Sequence, residues 1–251
     1  MINLDELVTY LDDLLEVDRF ADYCPNGLQV EGRPVVRKLL SGVTASQALL
    51  AAARERQADA VLVHHGYFWR GEDPRLVGIK RQRIQTLLQA EMSLLAYHLP
   101  LDAHPVYGNN AQLGERLGFV TEGPFGQGTP AIGLYGHVSE SISASALSQH
   151  IEQVLQRTPL HIAGGSSAIH TIAWCSGAAQ TYIEQAIDLG VDAYLSGEIS
   201  EQTVHIAREA GIHYFAAGHH ATERYGVQAL GEHLAAHFGL EHEFIDIANP
   251  V

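Results

Sequence analysis

Two adjacent histidines, His64 and His65, close the apolar run Val61-Leu62-Val63 and are followed by Gly66. Imidazole is a common metal ligand and also moves protons near neutral pH. Successive side chains of a strand point to opposite faces, so such a pair converges on one ion only with difficulty. It can serve two neighbouring ions as the chain turns at the glycine. A His-His pair alone reads equally well as the polar end of a buried strand, so the decision falls to the rest of the chain.

Two further groups have ligand spacing. His98 and Asp102, with His104 beyond, surround Pro100 where a second strand ends. One imidazole and one carboxylate there could face the first pair. Gly218-His219-His220-Ala221-Thr222-Glu223 opens a helix, which places His219 and Glu223 at i and i+4 on one face, a chelating geometry, and turns His220 away. The remaining histidines from His137 onward (His150, His161, His170, His205, His213, His233, His237 and His242) have no such spacing.

The elements that must position these groups read as α/β. Leucines at helical spacing from Leu4 to Leu15 predict a core helix, with Asn3 and Glu6 as a variant capping box. Strands are expected over 38–43 and 59–65 with a helix over 45–56 between them, a βαβ pattern with parallel strands. A helix over 80–90, a strand over 93–99 and a helix over 110–117 follow. Glycine, proline and polar residues over 118–130 suggest a boundary near residue 124, hence halves of 1–124 and 125–251. In the second half, strands over 130–138, 169–175 and 192–198 alternate with helices over 143–155 and 181–189, and a strand over 241–247 ends the chain and could return to the first half.

The halves echo one another. Asp59 to His65 and Asp192 to Glu198 correspond at an offset of 133 residues at both ends, which puts Glu198 in the place of His65. His98-x-x-x-Asp102 and His219-x-x-x-Glu223 correspond at an offset of 121. Two similar α/β domains from an internal duplication are therefore expected, with a metal site in the cleft between them. Asp22 to Leu28 reads as a turn, and Tyr67-Phe68-Trp69 as an aromatic run able to wall a pocket or stack a base.

Composition narrows the function. A net charge of −14 opposes long nucleic acid as a partner. The acidic, amphipathic start lacks the basic flank and apolar core of a signal peptide, and no apolar run has the length of a membrane span, so a cytoplasmic protein with no membrane partner is expected. Cys24 and Cys175 form no CxxC pair, and 15 histidines against two cysteines favour nitrogen and oxygen ligands.

His64-His65-Gly66, His98-Leu-Pro-Leu-Asp102 and Gly218-His219-His-Ala-Thr-Glu223, in this order and spacing, resemble the Nif-three-like family, whose bacterial members are described as GTP cyclohydrolase 1 type 2 homologues. Pro25-Asn-Gly-Leu-Gln-Val-Glu31 and Ser196-Gly197-Glu198 add to the likeness, although many relatives carry aspartate where Glu198 stands. The resemblance implies a dinuclear metal site with ligands His64, His65, Asp102, His219 and Glu223, the last as bridge, and a toroidal homohexamer. His98 then stands beside the site, as a supporting group or proton carrier, and Glu198 is a second candidate for moving protons.

Five ligands do not saturate two ions, so positions stay open for water and substrate, and hydrolysis is the natural chemistry. Zinc, iron, manganese or nickel suit the donor set. The expected substrate is a small molecule, such as a nucleotide opened at C8 of guanine, or a related ring or ester, although no P-loop offers a seat for a triphosphate. The alternative is a protein that stores, senses or delivers metal without turnover.

Overall fold

The computed structural model describes residues 1–165 and 168–251. It comprises two compact units, one of Met1–Leu101 with Gly226–Ala248 and one of Asp102–Tyr225 with Asn249–Val251. Both are α/β.

In the first unit, α1 (Leu4–Leu14) starts at Asn3, whose side chain accepts from the Asp5 amide. Leu4, Leu7 and Leu11 form its buried face. The short strands β1 (Ile2–Asn3) and β3 (Val35–Val36) pair with each other, and β2 (Gly27–Val30) joins the main sheet. That sheet holds β4 (Lys38–Thr44), β5 (Ala60–His65) and β6 (Ser93–Ala96), which run parallel. The C-terminal strand Glu241–Phe244 extends it in parallel beside β4, while β2 is antiparallel at the other edge.

Leu39, Leu40, Val61, Leu62 and Val63 are essentially fully buried, as the continuous apolar runs of a sheet covered on both faces require. Helix α2 (Gln47–Glu55) begins where Ser46 Oγ accepts from the Leu49 amide, and it buries Leu49, Leu50 and Ala53. Helix α3 (Gly78–Gln89) then leads into β6. A short helix, α4 (Leu99–Ala103), carries the chain into the second unit.

The second unit contains α5 (Asn109–Leu117) and a six-stranded sheet. Its first strand, β7 (Phe119–Phe125), is at an edge and pairs antiparallel with β8 (Gly133–Ser143). The stretch that reads as a boundary is thus a strand in which Pro124 pairs with Leu134. Proline is tolerated there because an edge strand has amides outside the ladder. After α6 (Ala144–Leu155) come β9 (Leu160–Ile162), antiparallel at the far edge, and β10 (Ala168–Cys175). Then α7 (Ile183–Asp188), β11 (Ala193–Ser196), α8 (Glu201–Ala210) and β12 (His213–Ala216) complete a parallel trio of β10, β11 and β12.

The core of the second unit centres on Trp174, fully buried, 5.2 Å from the Phe119 ring and donating through Nε1 to Asn110 O. The long helix α9 (His219–Phe238) starts in the second unit and continues into the first. Among the described residues no helix is long and apolar enough to cross a membrane.

Candidate metal centre

In the first unit three histidines gather at the carboxyl end of the sheet. His64 and His65 end β5, and their ring centroids are 4.5 Å apart with planes inclined at 46°. His98, just past β6, lies 5.0 Å from the His64 ring and 5.8 Å from His65. One ligand atom from each of the three lies within 4.8 Å of the others. Adjacent strand residues would diverge, but the strand stops at His65 and Gly66 turns the chain. A Cβ on Gly66 would meet Gln29 Oε1 at 2.2 Å and Ala96 Cβ at 2.6 Å, so this turn has room for glycine alone. The ring nitrogens of His64, His65 and His98 thus lie close enough to form one candidate group.

Each ring is held through Nδ1. His64 Nδ1 is 3.0 Å from the Tyr97 carbonyl, which can only accept, so this nitrogen carries the proton and Nε2 offers a lone pair. His65 Nδ1 is 3.1 Å from Thr44 Oγ1, and His98 Nδ1 is 2.7 Å from Asp22 Oδ1. Burial opposes the charge on Asp22, but hydrogen bonds from His98, Asn26 and Leu99 and the field of His98 outweigh it and hold the carboxyl at about 2. Trp69 stands edge-on to His98 at 5.0 Å and donates through Nε1 to Gly66 O.

In the second unit Asp102 and Glu223 are buried, while Glu198 is partly exposed. Asp102, on α4, accepts at Oδ1 from Asn109 Nδ2 at 2.9 Å and from Ser176 Oγ at 3.3 Å. His219 and Glu223 occupy the first turns of α9, with His219 Nε2 3.1 Å from Glu223 Oε2. Glu198 Oε1 holds the other ring nitrogen of His219 at 2.7 Å. The amides of Gly197 and Glu198 both donate to Gly177 O, which ties the Ser-Gly-Glu segment to the loop after β10. That loop crosses directly over Glu223: Gly177 has φ +64°, and a Cβ there would meet Glu223 Oε1 at 2.1 Å.

The electrostatics are those of a crowded acidic site. Burial disfavours charge on His219, yet the Glu223 and Glu198 carboxylates overcome it and push the ring up to about 9. Burial, then the charges of Asp102 and Glu223, raise the Cys175 thiol well above its ordinary value. Cys175 therefore stays protonated, neither thiolate ligand nor nucleophile. Buried carboxylates are stable only when paired or coordinated, and a divalent cation meets that need.

Of the seven residues singled out in the sequence, His64, His65 and His98 meet in the first unit. Glu198, His219 and Glu223 form a linked chain in the second, and Asp102 stands with Ser176 beside the loop that covers Glu223. Sequence reasoning missed Asp22, Thr44, Asn109 and Ser176. Asp22 lies in a segment that reads as a turn, and its only sequence signal is that it adjoins the Pro25–Glu31 match.

The described residues thus include His, Asp and Glu groups that could hold a metal ion, on an α/β framework. The chain matches Duf34/NIF3 (NGG1p interacting factor 3) over residues 2–250 and belongs to that family. It is 59% identical over 250 residues to a Pseudomonas aeruginosa protein named GTP cyclohydrolase 1 type 2 homolog, with 99% of each chain covered. Among solved structures it resembles protein ybgI, described as of unknown function, at 47% identity and TM-score 0.96, with both chains covered completely. TTHA1606 from Thermus thermophilus is similar at 35% identity and TM-score 0.90, again over all of both chains.

Proposed function

We propose that this protein is a metal-dependent hydrolase in which His64, His65, Asp102, His219 and Glu223 hold two divalent ions, and that it acts on a nucleotide or a related ring or ester substrate. The supporting observation is the uniform presentation of the imidazoles. His64, His65 and His219 each engage an oxygen through Nδ1, so Nε2 would be the nitrogen offered to an ion, His219 first giving up the proton it shares with Glu223, the arrangement that orients metal-bound histidines. Three nitrogens and two carboxylates suit zinc, iron, manganese or nickel. Glu223, with two oxygens, would be the residue able to hold both ions.

Bound ions would polarise the substrate and lower the pKa of water. The chain's own residues do the rest. Glu198 keeps the His219 ring in place, so we assign it a positioning role rather than proton transfer. His98, beside the ligand histidines, moves the proton. Trp69 walls the site and offers an aromatic face to a planar ring. The name of the Pseudomonas aeruginosa relative favours a nucleotide, GTP among them. The reading includes a cytoplasmic toroidal homohexamer.

The test is hydrolysis of a nucleotide panel including GTP by protein purified without chelator, with Glu223→Ala as control. Turnover that is lost in the variant supports the proposal. Ions that exchange freely with no turnover on any substrate would replace it with metal storage, sensing or delivery, and light scattering reads the assembly.

A further inference from the structure

We propose that Asp22 is a positioning residue for His98, holding its ring as the Nδ1–H tautomer so that Nε2 is presented to the neighbouring histidines as an unprotonated acceptor. The use made of that acceptor rests on the hydrolase reading; the tautomer itself does not.

The Asp22 carboxylate has a side-chain exposure of 3% and four donors. Oδ1 accepts from His98 Nδ1 at 2.7 Å and from the Tyr23 amide at 2.6 Å. Oδ2 accepts from the Leu99 amide and from Asn26 Nδ2, both at 2.9 Å. With both oxygens engaged the group cannot rotate away, and an acceptor with only lone pairs to offer demands a proton on His98 Nδ1. Asn26 closes the frame by accepting the His98 amide at 2.7 Å through Oδ1. The Trp69 edge at 5.0 Å limits the ring's own rotation.

A turn serving only to lead from α1 into β2 and to tie that segment to the end of β6 would need no more than the contacts to the Leu99 and His98 amides. The bond to the imidazole goes beyond that need, because it selects which nitrogen carries the proton. A histidine whose Nε2 was protonated would present a donor to its neighbours, the wrong polarity both for accepting a proton and for binding an ion. Arg70 Nη2, donating to Asp22 O at 2.9 Å, ties the same segment to the loop after His65.

The experiment is ¹⁵N magic-angle-spinning NMR of histidine-labelled, zinc-loaded protein, with the His98 signals identified by their loss in His98→Gln. The proposal expects His98 with Nδ1 protonated and Nε2 bare. A wild-type ring protonated at Nε2 overturns it whatever any variant does. Asp22→Asn should move His98 toward the Nε2–H form, leave zinc per chain unchanged, and lower kcat roughly 10- to 100-fold with KM within about twofold. Asn26→Ala, which loosens the segment but spares the carboxylate, should leave the tautomer as in wild type. A tautomer that shifts in Asn26→Ala and not in Asp22→Asn would reduce Asp22 to a turn residue. Because the spectrum is read without turnover, a protein inert toward every nucleotide would remove the hydrolase reading and leave the role of Asp22 to be judged on the tautomer alone.

Discussion

Asp59 and Asp192 stand 133 residues apart, each just before the middle strand of a parallel trio, and each does the same local work. Asp59 Oδ2 accepts the amides of Arg37 and Lys38 at the start of β4; Asp192 Oδ2 accepts those of His170 and Thr171 in β10. The backbones agree as well, since Asp59 O accepts from the Ser93 amide and Asp192 O from the His213 amide. At the other end of the strands the likeness stops. β5 ends in His64 and His65, which themselves offer ring nitrogens, whereas β11 ends in Ser196 and passes through Gly197 to Glu198, which holds His219. One construction thus serves two purposes, donors carried by a strand end in the first unit and donors carried by a helix, braced from a strand end, in the second.

The comparison can be strained first at the cores. Trp174→Ala, which empties the centre of the second unit, should lower the unfolding free energy by about 3–5 kcal/mol in urea titration. Leu62→Ala in β5 should cost about 2–5 kcal/mol. A cost near that of a surface substitution at either position would contradict the two buried sheets.

The paired aspartates come next. Asp59 also receives Arg33 Nη1 at 2.9 Å, so Asp59→Asn should cost about 1–3 kcal/mol, and Asp192→Asn about 1 kcal/mol. Burial opposes charge on Asp192, but the Thr171 and His170 hydrogen bonds lower its pKa below the ordinary 3.8. A group with a depressed folded pKa contributes fully above its unfolded value and loses that contribution as pH falls through the folded one. Thermal unfolding followed from about pH 5 to about pH 2 should therefore show a smaller acid-induced loss in Asp192→Asn than in wild type. An unchanged pH profile would break the parallel role given to this residue.

The helix caps provide the finest comparison. Ser46 opens α2 and Ser143 opens α6, accepting from the Leu49 amide at 3.3 Å and the Ala146 amide at 3.2 Å. Replacing either serine by alanine should cost about 1 kcal/mol. Clearly unequal losses would show that the equivalence ends at the sheets.

Much of this was legible in the residues. Helix α1, the β4-α2-β5 unit and the opening of α9 are marked by apolar periodicity and capping residues that act locally. Strand β7 was hidden because Gly123 and Pro124 carry turn chemistry that an edge strand can absorb. Helix α8 drew no expectation, and β12 was expected only as the strand that the second His-x-x-x-carboxylate ends, without bounds, since its four residues, His-Tyr-Phe-Ala, are too short for a period to show. At the site, spacing and the family resemblance marked the histidines and acids, but not what aims them. The partner of His64 is a backbone carbonyl, which has no sequence signature, and the partner of His98 lies 76 residues away in a segment that reads as a turn.

The most direct measurement of the central claim is metal per chain, by elemental analysis after reconstitution with zinc, for wild type, His64→Ala and Glu223→Ala. The account predicts about two ions per wild-type chain, the number the proposed dinuclear centre would hold, and a loss in both variants. Wild-type protein that stays metal-free after reconstitution, or variants that keep the full complement, would contradict it.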